Sequence, residues 1–204
     1  LEASTNNGVA NVPVNRRIKM MDGPTFAQFK KERFMDQIRF YENREPAIDE
    51  VPESYRYPEQ TAYSTNWFNE ILRNNAPFSD YNVSLTNGSE HVNSYVSLGY
   101  LDQQGALIET GFNRFSARAN IDGRVKDFLK FGLRMSGAYT TQRNADTQAG
   151  SHGNNIVVQS LLMDPRQPVY LADGSYNSYV GGTDGIFGFA NPVQRLREEV
   201  HHVF

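Results

Sequence analysis

The chain has 204 residues, a net charge of −3 and no cysteine, which excludes disulfides, thiol chemistry and cysteine-held metals. That charge gives no global attraction for nucleic acid, and no apolar run approaches the ~18–20 residues of a membrane-spanning helix. A mean hydropathy of −0.59 fits a water-soluble domain and equally a transmembrane barrel, half of whose strand residues face a polar lumen.

No Met precedes Leu1, so the sequence reads as a mature product or as a piece of a longer chain. In chain order, Asn6-Asn7-Gly8 reads as a turn, and the weak alternation of Val12, Val14, Arg16 and Ile18 as a strand over 11–19. Pro24, after Asp22-Gly23, suits a first helical turn. A helix is expected over 24–43, with Ala27, Phe34, Ile38 and Tyr41 on its packed side and Lys31, Glu32, Asp36 and Arg39 elsewhere. Residues 44–64, with Pro46, Pro52 and Pro58, read as a loop. A short helix over 66–73 follows, capped by Thr65 and carrying Trp67, Ile71 and Leu72.

Residues 78–142 carry the clearest pattern, a period of two. Tyr81, Val83 and Leu85 share one face of a first strand; Val92, Val96, Leu98 and Tyr100 share one face of a second. Asn87-Gly88-Ser89-Glu90 between them is a hairpin tip. A loop over 102–110 leads to a third strand with Phe115, Ala117, Ala119 and Ile121 on one face. A tight turn at Asp122-Gly123-Arg124 leads to a fourth, with Leu129, Phe131, Leu133, Met135 and Tyr139 together. Beyond it lie a Gly-rich loop, a helix over 154–163, a turn-rich stretch over 164–190 and a short helix from Pro192 to about Glu199, capped by Asn191.

The apolar face of these strands could pack in a sandwich or meet lipid. Strands of about 9–11 residues suit a tilted bilayer crossing. Short connections at 87–90 and 122–127 alternate with longer ones at 102–110 and from 143, as in outer-membrane barrels. With the short turns on one level, Tyr81, Tyr100, Phe115 and Tyr139 fall toward the loop end and Phe131 toward the turn end, as two interfacial girdles would require. The opposite face, with Asn82, Ser84, His91, Asn93, Arg114, Arg118, Lys130 and Arg134, suits a wet sheet surface or a lumen. On spacing alone both readings stay open.

The stretches TNWFNEI, YNVSL, YVSLGYLDQQGAL and TGFNRFSARANID, in this order, resemble the SusC/RagA family of TonB-dependent outer-membrane transporters of Bacteroidetes. GPTFAQFKKE, DPRQPVYLADGSY and NPVQRL resemble further segments of that family. The resemblance implies an all-β membrane protein, with antiparallel strands from a 22-stranded transmembrane β-barrel and short helices in extracellular loops. It implies that residues 1–204 are a partial barrel, with the plug domain, TonB box and most barrel strands outside it. Strand hairpins would lie at 78–101 and 112–142, and loop or helix regions at 22–77 and 143–199. It implies an outer-membrane location and active import of an oligosaccharide or peptide under a SusD-like surface lipoprotein, energised by the TonB complex through the absent N-terminal region. The competing reading is a soluble or surface β-rich glycan-binding or adhesin domain.

On the lipid reading, Tyr81, Val83, Leu85, Val96, Leu98, Tyr100, Phe115, Ala117, Leu133 and Tyr139 face lipid. Arg114, Arg118 and Arg134 on the polar face are candidates for substrate or plug contact, the alternative being a solvated lumen wall with local salt bridges. Tyr170, Tyr176 and Tyr179, with Phe187 and Phe189, in the loop-rich part are candidates for substrate contact because aromatic rings stack on sugar faces, the alternatives being packing of the loop itself or contact with the lipoprotein lid. No metal site is expected: His201 and His202 are adjacent on a strand and point to opposite faces. No nucleophile motif, phosphate loop or fixed carboxylate pair appears, so no catalysis and no cofactor are expected.

Overall fold

The computed structural model describes residues 1–125, 128–145, 147, 155–181, 188–198 and 201–203. In chain order its elements are β1 (Glu2–Ala10), α1 (Gly23–Glu42), α2 (Glu53–Arg56), α3 (Trp67–Glu70), β2 (Ala76–Gly88), β3 (Val92–Gln104), β4 (Gly111–Val125), β5 (Leu129–Asn144), α4 (Ile156–Leu162), β6 (Tyr179–Gly181), β7 (Gly188–Ala190), α5 (Pro192–Glu198) and β8 (His201–Val203). They fall into two units.

The first unit is one antiparallel sheet in the order β1-β2-β3-β4-β5-β8. Four sequence expectations are corrected here. The strand lies at Glu2–Ala10, and 11–19 contains only a single 3-10 turn at Val14–Arg16. Asn6, Asn7 and Gly8 are inside β1, paired with Asp80, Ser79 and Phe78. Gly8 is there for space: a Cβ would run into the Phe78 ring. Likewise Asp122-Gly123-Arg124 is not a turn. β4 runs on to Val125, and Gly123 is needed because the ring of its partner Phe131 lies across it. In both places a glycine that makes room for a cross-strand ring looks, in one dimension, like turn chemistry. The first hairpin tip shifts slightly too, to Ser89–His91, closed by the Ser89 amide donating to the Val92 carbonyl at 2.8 Å.

The second unit is built around α1 and the segments 155–181 and 188–198. Asp22 caps α1, its carboxylate accepting from the Thr25 amide at 2.8 Å. Asn43, in the left-handed region at φ 51°, ends it. Ala27 is buried against Val51 and Tyr55, with Phe26, Phe34 and Met35 around them. Tyr41, expected on the packed side, is 78% exposed. Residues 44–64 are not a plain loop. They fold into two 3-10 turns, Ile48–Glu50 and Pro58–Gln60, flanking α2. Pro52 and Pro58 stand just before or at the start of these turns, where a missing N–H costs nothing. The helix expected over 66–73 is only Trp67–Glu70, and its cap is Asn66, not Thr65, accepting from the Asn69 amide at 3.0 Å.

Glu50 closes the first of these turns. Its carboxylate pairs with Arg44 and accepts from the Ala47 amide at 2.7 Å. The Arg44 guanidinium, and then that amide, hold the Glu50 carboxyl down to about 2 from its ordinary 4.5. A depressed carboxyl contributes fully above its unfolded value and loses the contribution as pH falls through the folded one. The Ala47 amide proton, followed by NMR, is therefore expected to change environment between pH 4.5 and about 2, and Glu50→Gln to abolish that transition.

Two buried polar groups organise the rest of this unit. Asn191 is fully buried. Its oxygen accepts from the Val193 and Gln194 amides at 3.0 and 3.3 Å, capping α5, and its amide donates to the Val169 and Asn177 carbonyls at 2.9 and 3.2 Å. Every polar atom of the side chain is used, as burial demands. Arg166 and Asp164 form a buried ion pair at 2.6 Å. The guanidinium lies 4.0 Å from the Tyr55 ring centroid and donates to the Ser54 carbonyl. The Asp164 carbonyl accepts from the buried Trp67 indole at 2.9 Å.

Candidate functional site

Strand register turns the sheet into two ordered faces. On the apolar face Tyr81, Tyr100, Phe115 and Tyr139 are successive cross-strand partners and form a single row. Below it come Val83, Leu98, Ala117 and Gly137, then Leu85, Val96, Ala119 and Met135. Asn87, Ser94, Ile121 and Leu133 follow, then Val92, Gly123 and Phe131. Val125 and Leu129 complete the band. One step beyond the aromatic row, toward the longer connections, the same face turns polar at Ser79, Asp102, Asn113 and Thr141. The Asn113 amide there donates to the Tyr100 hydroxyl at 3.3 Å.

Tyr139 to Leu129 spans about 33 Å of strand at ~3.3 Å per residue. Tilted by the ~40° usual for outer-membrane strands, that is a band about 25 Å tall, the height of a barrel's apolar belt. Its side chains are not covered. Val83, Leu98 and Leu133 are 47–49% exposed, whereas residues packed under a second sheet would be enclosed. Among the described residues these side chains are thus not enclosed as a sandwich core would be.

The polar face is organised in the same rows. Its middle is made mostly of small residues: Gly99, Ser116 and Ala138 beside Asn82 in one row, Ser84, Ser97 and Ser136 beside Arg118 in the next. A Cβ at Gly99 would press on the Asn82 and Ser116 side-chain oxygens at 2.8 Å, so both would have to turn aside. Arg118 rises from this flat ground beside a recess lined by Ser97, Ser116, Ser136 and Ala138. Arg114 stands four positions along β4, about 13 Å away, opposite Leu101 and Thr140. Neither arginine has a side-chain hydrogen bond or ion pair among the described residues. Arg134 differs: it pairs with Asp122 at 3.3 Å. Arg124 also belongs to this face, directly opposite Lys130. Reading Asp122-Gly123-Arg124 as a turn conceals it; continuing the two-residue alternation past Ile121 finds it.

Tyr170 and Tyr176 belong to the other unit. They are bridged as antiparallel partners, their ring centroids 5.1 Å apart. The Asp173-Gly174 turn between them is held by the Ser175 amide and hydroxyl donating to the Asp173 carboxylate. Although Tyr170 is partly exposed, burial of its phenol pushes it above the usual range, with the Arg197 charge opposing. The two rings form a platform with Leu171 exposed beside it. Tyr179 is in β6 and Phe189 in β7; their side chains, and Phe187 altogether, lie outside the described residues. Histidines 201 and 202 are in β8, and their side chains are likewise outside them. Among the described residues no group of three His, Asp or Glu is placed to hold a metal.

No protein-family model matches the chain. It is 34% identical over 143 residues to TonB-dependent receptor P26 of Formosa agariphila, covering 69% of this chain and 13% of that protein. Against TonB-dependent receptor SusC of Bacteroides thetaiotaomicron it is 33% identical over 134 residues, covering 63% of this chain and 13% of the relative. Among solved structures, the RagAB peptide importer in its closed-closed state superposes on 94% of this chain and 23% of its own, with a TM-score of 0.64 at 21% identity. That last likeness is one of fold. The chain thus spans about an eighth of the length of the relatives it matches.

Proposed function

Starting from a chain that is homologous to one segment of the TonB-dependent receptors of outer membranes, we propose that its sheet is part of the wall of a nutrient importer. The observation that carries this is the uncovered apolar band, topped by one row of aromatic side chains and about as tall as a bilayer's hydrocarbon layer. Residues 1–204 are then an early portion of a closed, 22-stranded barrel whose plug and remaining strands lie elsewhere in the polypeptide. The hairpins at 78–101 and 112–142 form wall, and 22–77 and 143–199 form extracellular regions. Tyr81, Val83, Leu85, Val96, Leu98, Tyr100, Phe115, Ala117, Leu133 and Tyr139 face lipid. The short turns after β2 and β4 are periplasmic. Import is driven by TonB, with a SusD-like lipoprotein as the partner at the outer mouth, and the cargo is an oligosaccharide or a peptide.

Within this reading Arg118 and Arg114 are lumen contacts for substrate, since they are free of protein partners among the described residues; Arg134 is the weaker candidate because Asp122 engages it. Tyr170 and Tyr176 offer a stacking surface at the mouth, with Tyr179 beside them in sequence. The wall itself is tested by paired cysteines in the full-length receptor in membranes: Leu98→Cys should react with lipid-soluble maleimide and Ser97→Cys with the water-soluble reagent. Equal labelling of both by the water-soluble reagent sinks the wall reading. For the substrate contacts, ligand recovered with the purified receptor is expected to fall about fivefold in Tyr170→Ala, near the ~1 kcal/mol of one aromatic contact. Arg118→Gln should lower it similarly, with receptor yield unchanged. Unaltered recovery in both variants removes these residues from the site.

A further inference from the structure

The apolar face carries a cation beyond its aromatic row. Two rows past Tyr100, Phe115 and Tyr139, toward the longer connections, Gln104, Gly111 and Arg143 are successive cross-strand partners on that same face. The Arg143 guanidinium lies across Gly111, where a Cβ would stand 3.0 Å from its Nη2. Among the described residues its side chain forms no ion pair, and its one hydrogen bond is long and neutral, donated to Gln104 Oε1 at 3.4 Å. An open recess of about 230 Å³ borders it, lined by Gln104, Thr110, Gly111, Arg143 and Asn144 among others. Between this row and the aromatic one stand Ser79, Asp102, Asn113 and Thr141. Asp102 Oδ1 is enclosed there with no hydrogen-bond donor among the described residues.

We propose that Arg143, with Gln104, holds the phosphate of a glycolipid in the outer leaflet, and that Asp102 and its row receive the sugar hydroxyls of the same headgroup. The inference rests on the barrel-wall reading, which turns this face to lipid and the longer connections outward. Four residues of strand are about 13 Å, or about 10 Å of height at a ~40° tilt. Aromatic rings mark the boundary between hydrocarbon and headgroups, so Arg143 stands at headgroup depth. Its planar guanidinium offers paired N–H donors that match a phosphate and bind it by charge-assisted hydrogen bonds. The Gln104 oxygen steadies the guanidinium, which leaves the Gln104 amide donors for the same anion. A simple phospholipid would serve Arg143 alone and set its negative charge near Asp102. A phosphorylated sugar also brings hydroxyl donors for that carboxylate, and this favours the glycolipid.

The test is native mass spectrometry of the full-length receptor in mild detergent, titrated with lipid A that carries one phosphate, with its dephosphorylated form, with phosphatidylglycerol and with inorganic phosphate. The wild type is expected to hold phosphorylated lipid A, and Arg143→Gln to bind it about tenfold more weakly. Arg143→Lys should retain part of the difference. Arg124→Gln, which removes a cation from the opposite face, should bind as the wild type does. Heat-modifiable migration on gels checks that each variant still folds as a barrel. The proposal is overturned if folded Arg143→Gln binds phosphorylated lipid A like the wild type, or if the dephosphorylated form or phosphatidylglycerol binds the wild type equally well. Displacement of the lipid by equimolar inorganic phosphate also overturns it, since the site would then read a free anion. Failure of the wall reading shows up separately, in the Leu98 and Ser97 cysteine labelling.

Discussion

Leu133→Arg is expected to destabilise the membrane-inserted full-length receptor by about 2–4 kcal/mol, the depth-dependent cost of a cation near the middle of a barrel's lipid face. Leu133 lies close to the centre of the band that runs along β5 from Leu129 to Tyr139. It sits beside Ile121, half-exposed, with no polar group of its own row closer than Ser94 two strands away. An arginine there must desolvate its charge or snorkel past several apolar rows. Ser136→Arg is the control. It is three positions along the same strand but on the polar face, opposite Arg118, where an added cation meets water and costs only local repulsion. Tyr139→Arg, in the aromatic row, should fall between, at about 0–1 kcal/mol. Denaturant unfolding of the receptor from lipid vesicles measures all three. Equal losses for Leu133→Arg and Ser136→Arg would mean the two faces do not see different solvents, and the wall reading would fail with them.

The contrast between those neighbours is legible in the amino-acid order alone, because a period of two assigns faces without knowing what the faces touch. Placing Tyr81, Tyr100, Phe115 and Tyr139 toward the loop end needs only approximate turn positions, but pairing them in one row needs the true register, since moving a turn's centre by one residue moves every cross-strand partner by two. What is not legible has a common cause: it depends on a partner distant in the chain. Gly8 and Gly123 are explained by rings on neighbouring strands, so their surroundings look like a turn until the partner is known. The prolines of 44–64 suggest a loop, yet Pro52 and Pro58 fit the beginnings of short helical turns. Tyr41 has the spacing of a core residue on α1, but the packing partners Val51 and Tyr55 reach only the part of the helix that carries Ala27 and Phe34. The Asp164-Pro165 pair has the form of an ordinary turn signal, and nothing local marks it as the centre of a buried network.

That network sets the second large expected effect. Arg166→Ala should destabilise the unit containing α1 by about 3–5 kcal/mol, the cost of leaving a buried charge without its partner. Asp164 and Arg166 side chains are 8% and 9% exposed, so water does little to screen what remains. The arginine also lies against the Tyr55 ring and holds the Ser54 carbonyl, 112 positions away in the chain. Its loss therefore removes a cation–π contact and packing as well as charge. Asp164→Asn with Arg166→Met should cost much less than Arg166→Ala alone, because it removes the orphaned carboxylate and fills the space over Tyr55 with an apolar chain. Hydrogen exchange of the full-length receptor reads the difference: peptides covering Ser54–Arg56 and Trp67–Leu72 should lose protection by roughly two to four orders of magnitude in Arg166→Ala. The double variant should recover most of it. If single and double variants exchange alike, the pair acts through shape alone and the electrostatic account is wrong. If neither changes, the Trp67 indole bond to the Asp164 carbonyl and the fully satisfied Asn191 hold this unit without the ion pair.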